Sequence, residues 1–171
     1  MTGPRILALD LSLSRTGWAT DEDRGIIRAT TTGTARLIDI RDQILELAAH
    51  SDVACVEGYA YARPHQAHQL GELGGVVRVA LHELGVPIAV VAPSALKRYA
   101  TGSGAAPKAA VLVAAVRRLG YTGSDDNIAD AMWLHALASA AYNRPVVDMP
   151  REQTARAVAA VDWPTLPPVA A

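Results

Sequence analysis

The chain has 171 residues, is half hydrophobic, carries a formal net charge of −1 and contains one cysteine and no phenylalanine. That length and apolar content suit one globular domain. The near balance of charge argues against a protein that coats nucleic acid non-specifically, and the lone Cys55 excludes both a disulfide framework and a thiolate metal site within one chain.

In chain order, residues 6–11 read as a buried strand, 16–20 as a second and 25–32 as a third, with a polar turn over 21–24, which together make a three-stranded meander. Thr34 is positioned to cap a helix that carries Leu37, Ile40, Ile44 and Leu47 on one stripe, and the chain returns as a strand over 52–57. A long helical pattern over 66–84 leads to a strand at 87–91, a loop opened by Pro93 and a segment from Lys97 to Pro107 rich in Gly and small residues. Helices are expected over 108–119 and 126–142. A Pro-rich extension follows from Pro145, with 151–161 helix-compatible, so the reading is a domain over 1–144 and an extension over 145–171 that belongs to it or partly frays. No apolar run is long enough to cross a bilayer and no signal-peptide pattern opens the chain, so the cytosol is the expected compartment.

Four carboxylates stand out. Asp10 in Ile-Leu-Ala-Leu-Asp and Glu57 in Val-Ala-Cys-Val-Glu each end an apolar run of strand length, where an ionised side chain is costly to bury unless something pairs with it. Asp126 and Asp130 stand four residues apart at the start of a helical pattern, so both project from one face, with Asn127 one step round. Singly, each has a plainer reading: Asp10 as a strand-end carboxylate in water, Asp125 or Asp126 as a helix N-cap. As a set they describe an oxygen cage for a divalent cation. Hard oxygen ligands without a His or Cys cluster favour Mg²⁺, with Mn²⁺ as a substitute, over Zn²⁺.

Several segments resemble the motifs of one family. Asp10-Leu-Ser-Leu-Ser-Arg-Thr-Gly-Trp18 is similar to the first motif of RuvC-type Holliday junction resolvases, in which an aspartate ends strand one and Thr-Gly-aromatic follows in strand two. Glu57 with Leu70-Gly-Glu-Leu-Gly-Gly75 resembles the second, residues 93–102 with Lys108 the third, a basic loop with two lysines, and Ala129-Asp-Ala131 the fourth. The similarity runs from about Ile6 to Tyr142, and the motifs are specific through their order and spacing rather than singly. It implies an α/β, ribonuclease H-like fold: a five-stranded mixed sheet, three antiparallel strands then two parallel, flanked by helices. One departure concerns the fourth acidic residue that many members carry three positions before the last aspartate. Asn127 stands there, so either Asn127 supplies a neutral ligand or Asp126, which brings charge, takes the role.

The resemblance implies a crossover junction endodeoxyribonuclease that resolves four-way junctions and other branched DNA. Its ligands would be Asp10, Glu57, Asp126 or Asn127, and Asp130, around two ions per site, with Lys108 adding positive charge at the N-terminus of its helix. Tyr59 or Tyr61, in the loop where the family carries an aromatic, would stack on bases, and Arg63, Lys97, Arg98 and Lys108 would meet phosphates. His65 and His68 read as exposed polar residues. The family acts as homodimers, and the helix over 66–84 carries Leu70, Leu73, Gly74, Val77 and Leu81 on a stripe that would serve a partner helix or the chain's own core. Two other readings stay open: a nuclease for RNA–DNA hybrids or for forks and flaps, and a non-catalytic module of the same fold that binds nucleic acid. The Ala-rich, Lys-poor composition suits a GC-rich bacterial or phage genome, hence a bacterial or phage-infected host cytosol.

Overall fold

A computed structural model describes residues 3–58 and 64–167, with the backbone alone for 64–67. The elements are β1 (Ile6–Asp10), β2 (Thr16–Ala19), β3 (Arg24–Ile27), α1 (Gly33–Ala48), β4 (Val53–Glu57), α2 (Pro64–Glu83), β5 (Ile88–Val91), α3 (Pro93–Thr101), α4 (Lys108–Arg118), α5 (Asp126–Ala141) and α6 (Arg151–Val158). The five strands form one sheet in the order β3-β2-β1-β4-β5. β1 pairs antiparallel with β2 and β2 with β3, while β1 to β4 and β4 to β5 are parallel. This is the expected mixed sheet, three antiparallel strands followed by two parallel ones.

Both faces of the sheet are covered, which is why β1 and β4 read as continuous apolar runs rather than alternating ones. Alternation along β1 sends Leu7, Leu9 and Leu11 into one core with Ile40 and Ile44 of α1 and Leu73, Val77 and Leu81 of α2. Ile6 and Ala8 enter the other core with Cys55 of β4, Val91 of β5 and the helices α3 to α6. Cys55 is fully buried and acts as apolar filler, its thiol pushed up by burial. The second core is built around α5, in which every residue from Ala129 to Ser139 is buried. Trp133 of α5 meets Tyr99 of α3 edge-on at 5.8 Å and donates from Nε1 to the Val111 carbonyl of α4 at 3.2 Å, so one indole joins three helices.

Local differences from the sequence expectations have identifiable causes. Pro93 opens helix α3 rather than a loop: its preset φ and missing N–H suit the first helical position, and the helix stops where Gly102 turns left-handed at φ 87°. Lys97 and Arg98 therefore sit on a helix, not in a loop. Strand β3 ends at Ile27 instead of 32, and α1 starts at Gly33, ahead of Thr34. Asp125, not Asp126, caps α5, accepting from the N–H groups of Asn127 and Ile128. Beyond Pro145, α6 packs on α3 and α5 with Ala157 fully buried, Gln153 donates to the Tyr99 carbonyl at 2.7 Å, and Trp163 meets Tyr142 edge-on at 6.0 Å.

The start of α5 crosses β2 at Gly17, where a Cβ would collide with the backbone carbonyl of Asn127. Neither partner is a flexible side chain, so the contact cannot relax locally. Gly17→Ala is expected to lower unfolding stability by at least about 2 kcal/mol, read as a shifted urea midpoint. An unchanged midpoint would show that α5 can lift from the sheet at no cost.

Candidate active site

Parallel pairing of β1 with β4 sets Leu9 opposite Val56, so the next residues, Asp10 and Glu57, come side by side at the carboxyl ends of the two central strands. By the same alternation both carboxylates point to the face on which α5 lies. The first turns of α5 contribute Asp126 and Asp130, one turn apart, and the first residue of α4 contributes Lys108. The Lys108 ammonium stands 2.8 Å from an Asp126 oxygen and 3.7 Å from an Asp130 oxygen. The carboxyls of Asp10 and Glu57 lie close enough for each to shift the other. Elements far apart in sequence thus bring together Asp10, Glu57, Asp126, Asp130 and Lys108.

Burial and like charge dominate this cluster. Asp10 and Asp130 are 8 % and 7 % exposed. Burial, then the charge of Glu57, holds the Asp10 carboxyl well above the usual range, and burial with the charge of Asp130 raises Glu57. Asp130 is pushed up to about 7, by burial first and by Asp10 second. Asp126 behaves oppositely because the hydrogen bond from Lys108 lowers it. For Lys108, burial acts to lower the pKa, but the hydrogen bond to Asp126 and the charges of Asp130, Asp126 and Asp10 outweigh it, so the ammonium is held charged. Lys108 and the more distant charge of Lys97 do not balance four carboxylates, and the uncompensated charge favours the protonated form of the buried ones.

That deficit is what a divalent cation would supply. Among the described residues no three carboxylates are already closed around one ion-sized point. The donor chemistry nevertheless fits a hard cation: the carboxyls of Asp10, Glu57, Asp130 and Asp126 lie close enough to shift one another and have no thiolate among them, and His135, buried further along α5, faces Asp21.

The other expected site residues divide. Lys97 on α3 lies close enough to Glu57 for its charge to lower that carboxyl, opposing the burial that raises it. Arg98 turns instead to the following loop, its guanidinium beside Gly104. Asn127 donates from Nδ2 to the Arg15 carbonyl at 2.7 Å. Tyr59, Tyr61 and Arg63 lie outside the described residues, as does the side chain of His65, and His68 is exposed. The expected helical stripe of α2 is inward-facing: Leu73, Gly74, Val77 and Leu81 are buried, while Gly71, Gly75 and Val79 form the outer face. Sequence reasoning passes over Arg15, which pairs with Asp125 next to the cluster, although an arginine five residues after the strand-end aspartate is a visible signal.

A ribonuclease H-like sheet with acidic residues gathered at the ends of β1 and β4 and at the start of α5 defines a nuclease of that superfamily. Comparison with known proteins narrows the class. Residues 14–138 match the family of the crossover junction endodeoxyribonuclease RuvC. The RuvC of Sorangium cellulosum is 34% identical over 177 aligned positions, covering 89% of this chain and 98% of that protein. The RuvC of Rhodopirellula baltica is 28% identical, covering 82% and 89%. In structure, the chain resembles Thermus thermophilus RuvC with a TM-score of 0.67 at 21% identity, covering 84% of this chain and 99% of that one, and the same protein in complex with a Holliday junction substrate with a TM-score of 0.68. The chain belongs to the RuvC family of crossover junction endodeoxyribonucleases, metal-dependent nucleases of ribonuclease H-like fold.

The raised carboxyls have a consequence for stability. A folded Asp130 at about 7, against roughly 3.9 in an unfolded chain, means that the folded state binds the proton more tightly. The resulting stability is fully present below the unfolded value and is lost as pH rises through the folded one. Without divalent cation, the melting temperature is therefore expected to be higher near about pH 5.5 than near about pH 8, and added Mg²⁺ should narrow the gap by stabilising the high-pH form. Asp130→Asn should flatten the difference. A melting temperature that rises with pH over this range would contradict the crowding of these groups.

Proposed function

We propose that this chain hydrolyses phosphodiester bonds in four-way (Holliday) junctions and related branched DNA, with Mg²⁺ or Mn²⁺ as cofactor and two ions per site, and that it works as a homodimer. The observation that carries the reading is the convergence of Asp10, Glu57, Asp126 and Asp130 around one lysine, in a chain of the RuvC family. Asp10, Glu57 and Asp130, with Asp126 as the fourth, would hold the ions. Divalent cations bound there would supply an activated water and stabilise negative charge on the phosphoryl and leaving oxygens.

The chain's own groups do the rest. Asp10, at the junction of β1 and the β1–β2 loop, is within reach of both Glu57 and the α5 carboxylates, which suits a ligand role. Lys108 keeps its proton and offers positive charge to the phosphate under attack, strengthened by its place at the amino end of α4. Lys97 flanks the Glu57 side and would meet a neighbouring phosphate. Arg63 and Arg98 are proposed for the DNA backbone, and Tyr59 or Tyr61 for stacking on bases near the cut.

For the dimer, the outer face of α2 is the supporting feature. Gly71 and Gly75 have open space above them and Val79 is 58% exposed, so a second copy of the helix could approach closely. Two copies related by a two-fold axis would cut a four-way junction symmetrically. We treat residues 145–167 as part of the same domain, because α6 and Trp163 pack into the α3–α5 core. No described helix is long and apolar enough to cross a membrane, and a bacterial cytosol, or that of a phage-infected host, is the proposed compartment.

The test is cleavage of junctions, forks, flaps, RNA–DNA hybrids and linear duplex with Mg²⁺. Paired nicks in the junction are expected, and Asp10→Asn or Glu57→Gln should abolish them, a loss of at least about 10³-fold, while junction binding stays within a few-fold of wild type because the basic surface is intact. Cleavage of hybrids or forks with junctions left whole would reassign the substrate, and binding without any cleavage would make the chain a non-catalytic module.

The fourth ligand has its own measurement. Asp126→Ala should lower turnover and raise the Mg²⁺ requirement more than Asn127→Ala, since Asp126 brings a negative charge and already faces Lys108. The reverse order in a metal titration would take the role away from Asp126.

A further inference from the structure

The loop between β1 and β2 has no part in the chemistry assigned above, yet it is fastened to the start of α5 by several bonds. Arg15 forms an ion pair with Asp125, the Arg side chain 44% and the Asp 14% exposed. Asn127 donates from Nδ2 to the Arg15 carbonyl at 2.7 Å. Asp125 has further partners: its Oδ1 accepts from the N–H groups of Asn127 and Ile128 at 3.0 and 3.4 Å, and its own N–H donates to the Tyr121 hydroxyl at 3.1 Å. The loop is also closed on itself, because the Thr16 hydroxyl donates to the Ser12 carbonyl at 2.8 Å and accepts the Ser12 N–H at 3.0 Å. Beneath these bonds, Gly17 lets the Asn127 backbone lie directly on β2.

These contacts join the two halves of the carboxylate cluster. Asp10 is the last residue before the loop, and Asp126 and Asp130 follow the capping residue of α5. We propose that Arg15, Asp125 and Asn127 are positioning residues that fix the Asp10 strand against the Asp126/Asp130 helix, so that cation affinity depends on them although none touches the ion. The proposal rests on the metal-site reading given above. The identity of residue 127 follows from the same geometry. Asn offers a donor to the Arg15 carbonyl, whereas an ionised aspartate there would present only acceptors to another acceptor. Arg15 in turn faces Asp125 with a charged donor, so replacing that carboxylate by an amide would oppose donor to donor while leaving the helix cap in place, since Asn and Asp cap equally well.

The experiment uses the full chain. The first readout is the Mg²⁺ concentration that gives half of the metal-induced rise in melting temperature without DNA, and the second is kcat and KM on a junction at saturating Mg²⁺. Asp125→Asn and Arg15→Ala should each raise the half-saturating Mg²⁺ by about three- to tenfold and leave kcat at saturation within about twofold, with Arg15→Lys close to wild type. Asn127→Asp should shift the titration in the same direction. An unchanged titration in Asp125→Asn would overturn the proposal, as would a tighter one in Asn127→Asp, which would make residue 127 a ligand. A higher KM for DNA in Arg15→Ala with no change in Mg²⁺ response would also overturn it, assigning Arg15 to phosphate contact. Asp10→Asn separates this from failure of the site itself: if Asp10→Asn keeps the Mg²⁺-induced shift, the metal-site reading falls, whereas if it loses the shift while Asp125→Asn and Arg15→Ala are unaffected, the latch alone falls.

Discussion

The in-register parallel pairing of β1 with β4 is the constraint on which the rest of this molecule depends. It puts Asp10 beside Glu57 and, through the two-residue alternation of a strand, turns both toward the face covered by α5. A one-residue slip of β4 would send Glu57 to the α1–α2 face, among Leu9 and Leu73, and leave Asp10 without it. The register is secured by burial on both sides, since every residue of β1 and the first four of β4 are buried, and any other pairing would put large apolar side chains against the wrong core.

The carboxylate cluster that results works against stability. Burial and neighbouring charge raise three of the carboxyls, and the ammonium of Lys108, half-exposed on α4, with the charge of Lys97 offsets only part of this. The protein tolerates this because the surrounding frame is rigid. α5 is buried nearly all round, Trp133 and Tyr99 lock it to α3 and α4, and α6 closes the outer side. A cluster of like charge held by such a frame cannot relax by moving apart, so it must bind protons or cations. The same property that costs stability would be the source of affinity for the proposed cations.

Division of labour at the start of α5 shows how few residues separate structure from chemistry. Asp125 caps the helix and pairs with Arg15, Asp126 faces Lys108, Asn127 turns to the β1–β2 loop, and Asp130 points into the cluster one turn later. Adjacent carboxylates in one run thus have distinct partners because each helical step rotates the side chain by about 100°. The N-cap role of Asp125 frees Asp126 from it.

By itself the sequence determined the alternation of elements, the strand-end positions of Asp10 and Glu57 and the shared helical face of Asp126 and Asp130, because strand period, helix period and the cost of burying a charge act over a few residues and are readable locally. It also carried the order of motifs that marks the RuvC family. Only the tertiary structure decided what depends on contacts between distant segments: that Pro93 begins a helix packed under α5, that the Leu73–Leu81 stripe of α2 faces inward and leaves Gly71, Gly75 and Val79 outside, that Lys108 reaches Asp126, and that Arg15 reaches Asp125. A proline at a first helical position and one at the start of a loop look alike in sequence, and an ion pair across more than a hundred residues has no local periodicity to announce it.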